Sequence, residues 1–154
     1  MSSPTVSNHR ISTMFFGGLA ALAISTGAFA GPDDFGPGPL IEAYGQIAPV
    51  DADMTIPEGA SFAVTFDTAT RSEAETLNRT LTSAARFLNM HVANGVEAGS
   101  LRVAVVVHGR AFPDLSSATA GAHADLIATL LEHNVRASVC GQSATRSNAR
   151  RSAR

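Results

Sequence analysis

The sequence predicts an α/β domain in which a parallel β-sheet has flanking helices. Three short apolar runs, at 61–67, 101–109 and 135–140, have the length of strands. The two segments between them repeat apolar residues at three- and four-residue spacing, as amphipathic helices do. Helical crossovers between successive strands imply parallel pairing with right-handed connections, so this order indicates a layered α/β fold.

The N-terminal segment, Met1 to Ala30, has the three parts of a secretory signal. Arg10 supplies positive charge, Ile11 to Ser25 is apolar and uncharged, and Ala28 to Ala30 forms a small-residue cleavage site. The alternative is an uncleaved anchor, but the apolar stretch is shorter than the ~20 residues that span a membrane. We predict cleavage after Ala30 and a periplasmic or secreted protein with no membrane segment after cleavage.

Residues 31–60 are predicted to form a linker and an extended arm. Gly31 to Pro39 is rich in glycine and proline, which argues against regular structure. Leu40 to Glu58 has scattered apolar residues without a period, and we expect it to pack on the domain. The α/β domain is predicted to cover 61–143, and an Arg-rich disordered tail to cover 144–154.

The first strand and first helix follow from two different apolar periods. Phe62, Val64 and Phe66 alternate with smaller residues, which is typical of a strand. A helix is predicted from Ser72, as its N-cap, to about Ala93, where Asn-Gly ends it.

The second half of the domain continues the alternation of strand and helix. Leu101 to Gly109 is uninterrupted in its apolar character, which predicts a central strand buried on both faces. Ala122 to His133 is predicted to be a helix, and Val135 to Cys140 a third strand. The core face of that helix is predicted to consist of Leu126, Ile127, Leu130 and Leu131.

The charge pattern separates an acidic body from a basic end. Residues 31–143 hold 6 Arg against 13 Asp and Glu, which argues against nucleic acid as a partner. The last 11 residues hold 4 Arg and no apolar residue larger than Ala, so they cannot supply a third helix to cover the sheet. We therefore expect a fold that is incomplete at the C-terminus and weakly stable. Either a partner chain covers the sheet, or the sequence is truncated or frame-shifted, which we favour.

The candidate functional residues stand where the predicted strands end. Ligands of parallel α/β sheets bind beyond the carboxyl ends of the strands, here Asp67, His108 and Cys140. Cys140 is the single cysteine and cannot form an internal disulfide, so it is buried, paired between chains, or reactive. A helix beginning near Ser143 would favour its thiolate, although no helix is recognisable there.

His108 is the second candidate, as a general base or hydrogen-bond donor beside Cys140, and its alternative is a satisfied strand-end histidine. Asp67 is able to orient a partner or simply to start a turn. The other histidines considered, His91, His123 and His133, are predicted to be surface residues. No spacing of a metal site and no glycine-rich nucleotide motif occurs, so neither metal nor cofactor is predicted.

Three segments together resemble the exported branch of the DsrE/DsrF-like (YchN-like) family. They are SAARFLNMHVANGV (Ser83 to Val96), LRVAVVVHG (Leu101 to Gly109) and VRASVCGQS (Val135 to Ser143), and Gly38 to Gly59 is similar too. The resemblance implies a flavodoxin-like three-layer sandwich, homo-oligomers, and a cysteine that carries sulfur in a relay, here Cys140. His108 falls in the matching strand-end segment. Relatives continue after the cysteine with a helix, a strand and an apolar end, which this chain replaces by its Arg-rich tail.

Two functional hypotheses follow. The first is a sulfur carrier or thiol-redox protein of the cell envelope, a persulfide carrier of the sulfurtransferase type with Cys140 as nucleophile and a sulfur-donor or acceptor protein as partner. The second is a non-catalytic binding or assembly domain in which Cys140 serves only for packing. A reactive thiol labels rapidly in the folded protein, whereas a packed thiol labels only on unfolding.

Overall fold

The computed structural model describes residues 31–115 and 121–145. The predicted secretory signal, Met1 to Ala30, lies outside these ranges, and so do residues 146–154 of the predicted tail. Within the described ranges, no helix combines the length and apolar character needed to cross a membrane.

The described residues form a three-stranded parallel sheet with the strands in sequence order. The strands are β1 (Phe62–Thr68), β2 (Leu101–Val107) and β3 (Arg136–Val139). In the register, Phe62 lies opposite Leu101, and Ala104 lies opposite Arg136. The predicted α/β class, a parallel sheet with flanking helices, is confirmed.

The helices follow the strands in the predicted alternation. They are α1 (Arg79–Ala93), the single turn α2 (Phe112–Leu115) and α3 (His123–Glu132). Short 3-10 turns occupy Pro32–Asp34, Ala98–Ser100 and Gly109–Ala111, and residues 141–145 are helical. The turn at Pro32–Asp34 corrects the expectation of no regular structure in Gly31 to Pro39, because proline suits the first position of a helical turn.

The core lies between the sheet and the two longer helices. Since the strands follow in spatial order, right-handed crossovers place α1 and α3 on the same face. Aromatic contacts join that face to α1, with Phe62 against His91 and Phe66 against Phe87. Along β2 every second side chain points to this helix-covered face, and these buried residues are Leu101, Val103, Val105 and Val107.

The opposite face of β2 corrects the prediction that this strand is buried on both faces. Arg102 is exposed there, and Ala104 and Val106 are only half-buried. The apolar run concealed this alternation in burial, because Ala104 and Val106 are apolar without being covered by another element.

The start of α1 also differs from the prediction. The N-cap is Asn78, whose side-chain oxygen accepts from the Thr80 N–H at 3.0 Å, and not Ser72. The segment before it is a turn in which Glu75 has a φ of 59°. The Ser72 N–H donates at 2.9 Å to Asp114, which is 42 residues away, so a tertiary contact replaces the predicted local cap.

A buried polar cluster joins this turn to the second half of the fold. Asp114 accepts from the Asn78 side-chain amide at 2.8 Å, and the Asn78 N–H donates to His123 Nε2 at 2.9 Å. His123 is only 6 % exposed, which corrects its prediction as a surface residue. His91 is half-buried against Phe87, and His133 is half-buried as well, so neither is a fully exposed surface residue.

The core face of α3 is narrower than predicted. Leu126 and Leu130 are fully buried and Ile127 is half-buried, but Leu131 is 53 % exposed. The four predicted core positions extend around more of the circumference of α3 than the sheet and α1 cover, so Leu131 is left in contact with solvent.

The N-terminal arm is anchored on α1 by one side chain. Asn89 is fully buried; its oxygen accepts from the N–H groups of Leu40 and Ile41, and its amide donates to the carbonyls of Ile41, Tyr44 and Gly45. Gly45 has a φ of 67°, and a Cβ there would collide with the backbone of α1. The arm therefore belongs to the core, where Ile41 is 2 % exposed.

Candidate functional site

A cavity of about 980 Å³ opens at the carboxyl edge of the sheet. Its lining brings together His108, which follows β2, and Cys140, which follows β3. The loop after β1 contributes Thr70 and Arg71, as expected for the ligand-binding edge of parallel strands. The remaining lining residues are Val106, Gly109, Arg110, Phe112, Pro113, Gln142 and Ser143.

Cys140 stands at the junction between β3 and a helix. Its N–H donates to the carbonyl of Val107 at 3.0 Å, which extends the β2–β3 ladder by one bond. Its carbonyl accepts from the N–H groups of Ser143 and Ala144, which starts the helical residues 141–145. The sequence had no recognisable helix here because the segment has no apolar stripe, yet it also contains no proline to prevent a turn.

The surroundings of the thiol favour its ionised form. The backbone N–H of Ser143 makes the largest contribution, followed by that of Gln142 and the hydroxyl of Ser143, and together they lower the pKa of Cys140 below its ordinary value. Partial burial acts in the opposite direction and is outweighed. Hydrogen bonds to a thiolate stabilise the charged form, which is the nucleophile in sulfur chemistry.

Ser143 is held in place for this role by the neighbouring strand end. The Gly109 N–H donates to Ser143 Oγ at 2.8 Å. Because that bond occupies a lone pair of the hydroxyl, its proton is available for the sulfur of Cys140. Gly109 has a φ of 57° and lies close to Ala69, a backbone conformation that favours glycine.

His108 and Asp67 form a pair at the ends of β2 and β1. His108 Nε2 lies 3.2 Å from Asp67 Oδ2; the His108 side chain is 40 % exposed and the Asp67 side chain is 75 % exposed. When Nε2 donates to the carboxylate, Nδ1 is the ring nitrogen that accepts a proton. The two residues thus meet at the sheet edge that the sequence indicates, while their chemical roles remain predictions.

The buried Asp114 connects two walls of the cavity. It holds the Ser72 N–H of the loop after β1, and it belongs to the turn that carries Phe112 and Pro113. Its other oxygen lies 3.9 Å from the Nε of Arg71. The position of the Arg71 loop relative to the α2 wall therefore depends on this carboxylate.

The cavity residues that were not recognised as candidates in the sequence include Arg71, Arg110 and Ser143. A signal for each was present, because each lies within a few residues of a predicted strand end. The hydrogen bond from the Gly109 backbone N–H to the Ser143 hydroxyl had no such signal, since it joins residues that are 34 apart in the sequence. His133 and His91 do not line the cavity among the described residues.

The DsrE/DsrF-like family model matches residues 60–152, which is more than half of the chain. The chain belongs to the DsrE/DsrF-like family. The matched range contains all three strands, both longer helices and Cys140, so the family indicated by the three segments is confirmed, while membership of its exported branch stays a prediction. Among curated proteins and among solved structures, the comparisons find no match.

In this DsrE/DsrF-like protein the described residues include no group of three or more His, Cys, Asp or Glu side chains that could hold a metal ion. The cavity and its edge bring together a favoured thiolate, a histidine paired with a carboxylate, and two guanidinium groups. Such a set can attack an electrophilic sulfur atom and move a proton.

Proposed function

We propose that this DsrE/DsrF-like protein is a sulfur carrier in which Cys140 receives a sulfur atom as a persulfide and passes it on. The observation that carries the proposal is the stabilised thiolate of Cys140 on the wall of a cavity. Family membership supports a relay of this type. A donor or acceptor protein is the proposed partner, and Cys140 is the only thiol that can serve.

The proposed step is a transfer of sulfane sulfur. The Cys140 sulfur attacks the outer sulfur of a donor R–S–SH, the new S–S bond forms on Cys140, and the S–S bond of the donor breaks. The donor leaves as a thiolate with the bonding electron pair. His108 Nδ1 takes the proton of any unionised Cys140 and returns it to the leaving thiolate, while Asp67 orients the ring. No net oxidation occurs.

The test is mass spectrometry of the intact protein after incubation with a persulfide donor. Wild-type protein is expected to gain the mass of one sulfur atom, and Cys140→Ser is expected to gain none. Equal gain in both proteins, or gain in neither, would remove Cys140 from the mechanism. Labelling of Cys140 only after unfolding would instead identify it as a packing residue of a binding or assembly domain.

The role of His108 is tested separately. We expect His108→Gln to slow sulfur uptake about tenfold at a pH where the thiol is partly protonated, and less where it is ionised. His133→Gln is the matched control, because His133 lies at the end of α3 and is not among the cavity residues. Identical slowing in both variants would contradict a role for His108 as a proton acceptor.

Export and assembly complete the proposal. We propose that the protein works in the periplasm or outside the cell, with Gly31 as its first residue after removal of the signal, and that it forms homo-oligomers. The mass of the protein recovered from the cell envelope or medium tests the first point, and light scattering of the mature protein tests the second. Full-length protein retained in the cytoplasm would refute export, and a monomer at all concentrations would refute assembly.

A further inference from the structure

The lining of the cavity beside Cys140 carries two basic side chains and no acidic one, although the protein is acidic over residues 31–143. All 13 Asp and Glu residues of the chain lie in the described ranges, and none of them lines the cavity. Arg71 and Arg110 both do. Two of the 6 Arg in residues 31–143 therefore line the same cavity as the Cys140 thiol, whereas the Asp and Glu residues lie outside its lining.

The nearby carboxylates offset part of this charge but do not reach Arg110. Asp114 Oδ1 lies 3.9 Å from Arg71 and partly neutralises it, while Asp114 Oδ2 accepts from the Ser72 N–H and the Asn78 amide, and Asp67 faces His108. Arg110 has no acidic partner within 4 Å in the described part of the chain. Its backbone N–H is fixed to the Ala69 carbonyl at 3.0 Å, so the residue is anchored while its side chain remains available.

Size and apolar surface restrict the ligand further. A cavity of about 980 Å³ is at the upper end of the range for small-molecule pockets and much larger than an inorganic sulfur anion needs. Val106, Phe112 and Pro113 supply an apolar wall. An organic molecule that carries anionic groups fits this combination better than a bare oxyanion does.

We propose that the sulfur donor of this site is a low-molecular-weight organic persulfide that bears carboxylates, held by Arg110 and Arg71. This inference rests on the proposed function, since it names the donor from which Cys140 takes sulfur. Guanidinium groups bind carboxylates through paired N–H donors. The donor R–S–SH loses its outer sulfur to Cys140 and departs as R–S⁻ with the electron pair, which leaves the protein partner on the acceptor side.

The first arm of the test measures attraction of anions without any sulfur transfer. Iodoacetate and iodoacetamide alkylate the same single thiol and differ in charge, so the ratio of their rates cancels changes in thiol ionisation. We expect Arg110→Gln to lower that ratio about two- to fivefold, the effect of one partly exposed ion pair. Arg102→Gln, on the exposed face of β2, is the matched control and should leave the ratio unchanged. Added salt should reduce the wild-type ratio.

The second arm measures sulfur uptake from three donors: glutathione persulfide, its diethyl ester and thiosulfate. We expect half-saturation with glutathione persulfide at a several-fold lower concentration than with the ester, and loss of that preference in Arg110→Gln. Equal uptake from acid and ester, or uptake from thiosulfate alone, overturns the donor class while Cys140 remains a sulfur carrier. An alkylation ratio unaffected by Arg110→Gln also overturns it. Uptake from none of the donors refutes both this inference and the proposed function.

Discussion

Replacement of Asn89 by alanine is expected to release the N-terminal arm from the domain. The Asn89 side chain makes five hydrogen bonds to backbone groups of the arm, at 2.8–3.2 Å. The three contacts of the amide nitrogen share its two protons, so the set amounts to four full hydrogen bonds; at about 0.5–1.5 kcal/mol each, their loss with the arm still in place costs at least about 2 kcal/mol. If the arm detaches instead, Ile41 alone loses about 1.5–3 kcal/mol of burial, and the half-buried Leu40 and Tyr44 add to this.

The protein will take the less costly route, and the entropy regained by a detached arm limits the total. We therefore expect Asn89→Ala to lower the free energy of unfolding by about 2–4 kcal/mol, a large part of the ~5–15 kcal/mol typical of a domain. Urea denaturation measures this value, and limited proteolysis between residues 46 and 60 reports release of the arm.

Asn94→Ala is the matched control on the same helix. Asn94 is exposed, and its side chain donates only to the carbonyl of Met90 within α1. We expect a loss below about 0.5 kcal/mol, as for most surface positions. If the two variants unfold at urea midpoints that agree within error, the anchoring role of Asn89 is refuted.

Two further predictions concern the thiol and the arm. Because the hydroxyl of Ser143 helps to lower the pKa of Cys140, Ser143→Ala should move the midpoint of the pH–alkylation profile to higher pH. Thr145→Ala is the control and should leave the midpoint where it is. An unchanged midpoint in Ser143→Ala would show that the hydroxyl does not stabilise the thiolate. Gly45→Ala should destabilise the protein by about 1–3 kcal/mol more than Gly59→Ala, since both residues have positive φ but only Gly45 is pressed against α1. Thermal unfolding of both variants measures the difference, and equal losses would contradict the close contact.

Local periodicity was sufficient to predict the order of the elements. The alternation in Phe62, Val64 and Phe66 and the repeat of apolar residues in α1 depend on one face of each element meeting the core. From that order alone, the carboxyl edge followed as the place where Asp67, His108 and Cys140 gather. The geometric part of the site was thus accessible because topology sets which strand ends are neighbours.

Contacts distant in sequence account for what was missed. The start of α1 is decided by Asp114 and His123, which engage the segment from Ser72 to Asn78 across 36 to 45 residues. No pattern within the segment reveals those partners, so Ser72 looked like a sufficient cap. The burial of His123 was missed for the same reason. Its ring nitrogen accepts a hydrogen bond from the Asn78 N–H, 45 residues away, and the sequence around a single helical histidine does not reveal such a partner.

β3 is an edge strand of only four residues, all of them exposed, and within the described part of the chain it pairs on one side alone. Its amides should accordingly exchange with solvent at lower free energy than those of β2, since edge segments open locally without unfolding of the whole domain. Cys140 is joined to the sheet through this strand. The atom that reacts is therefore attached to the least protected strand of the sheet, and local opening of β3 would carry it outward, toward a partner too large to enter the cavity.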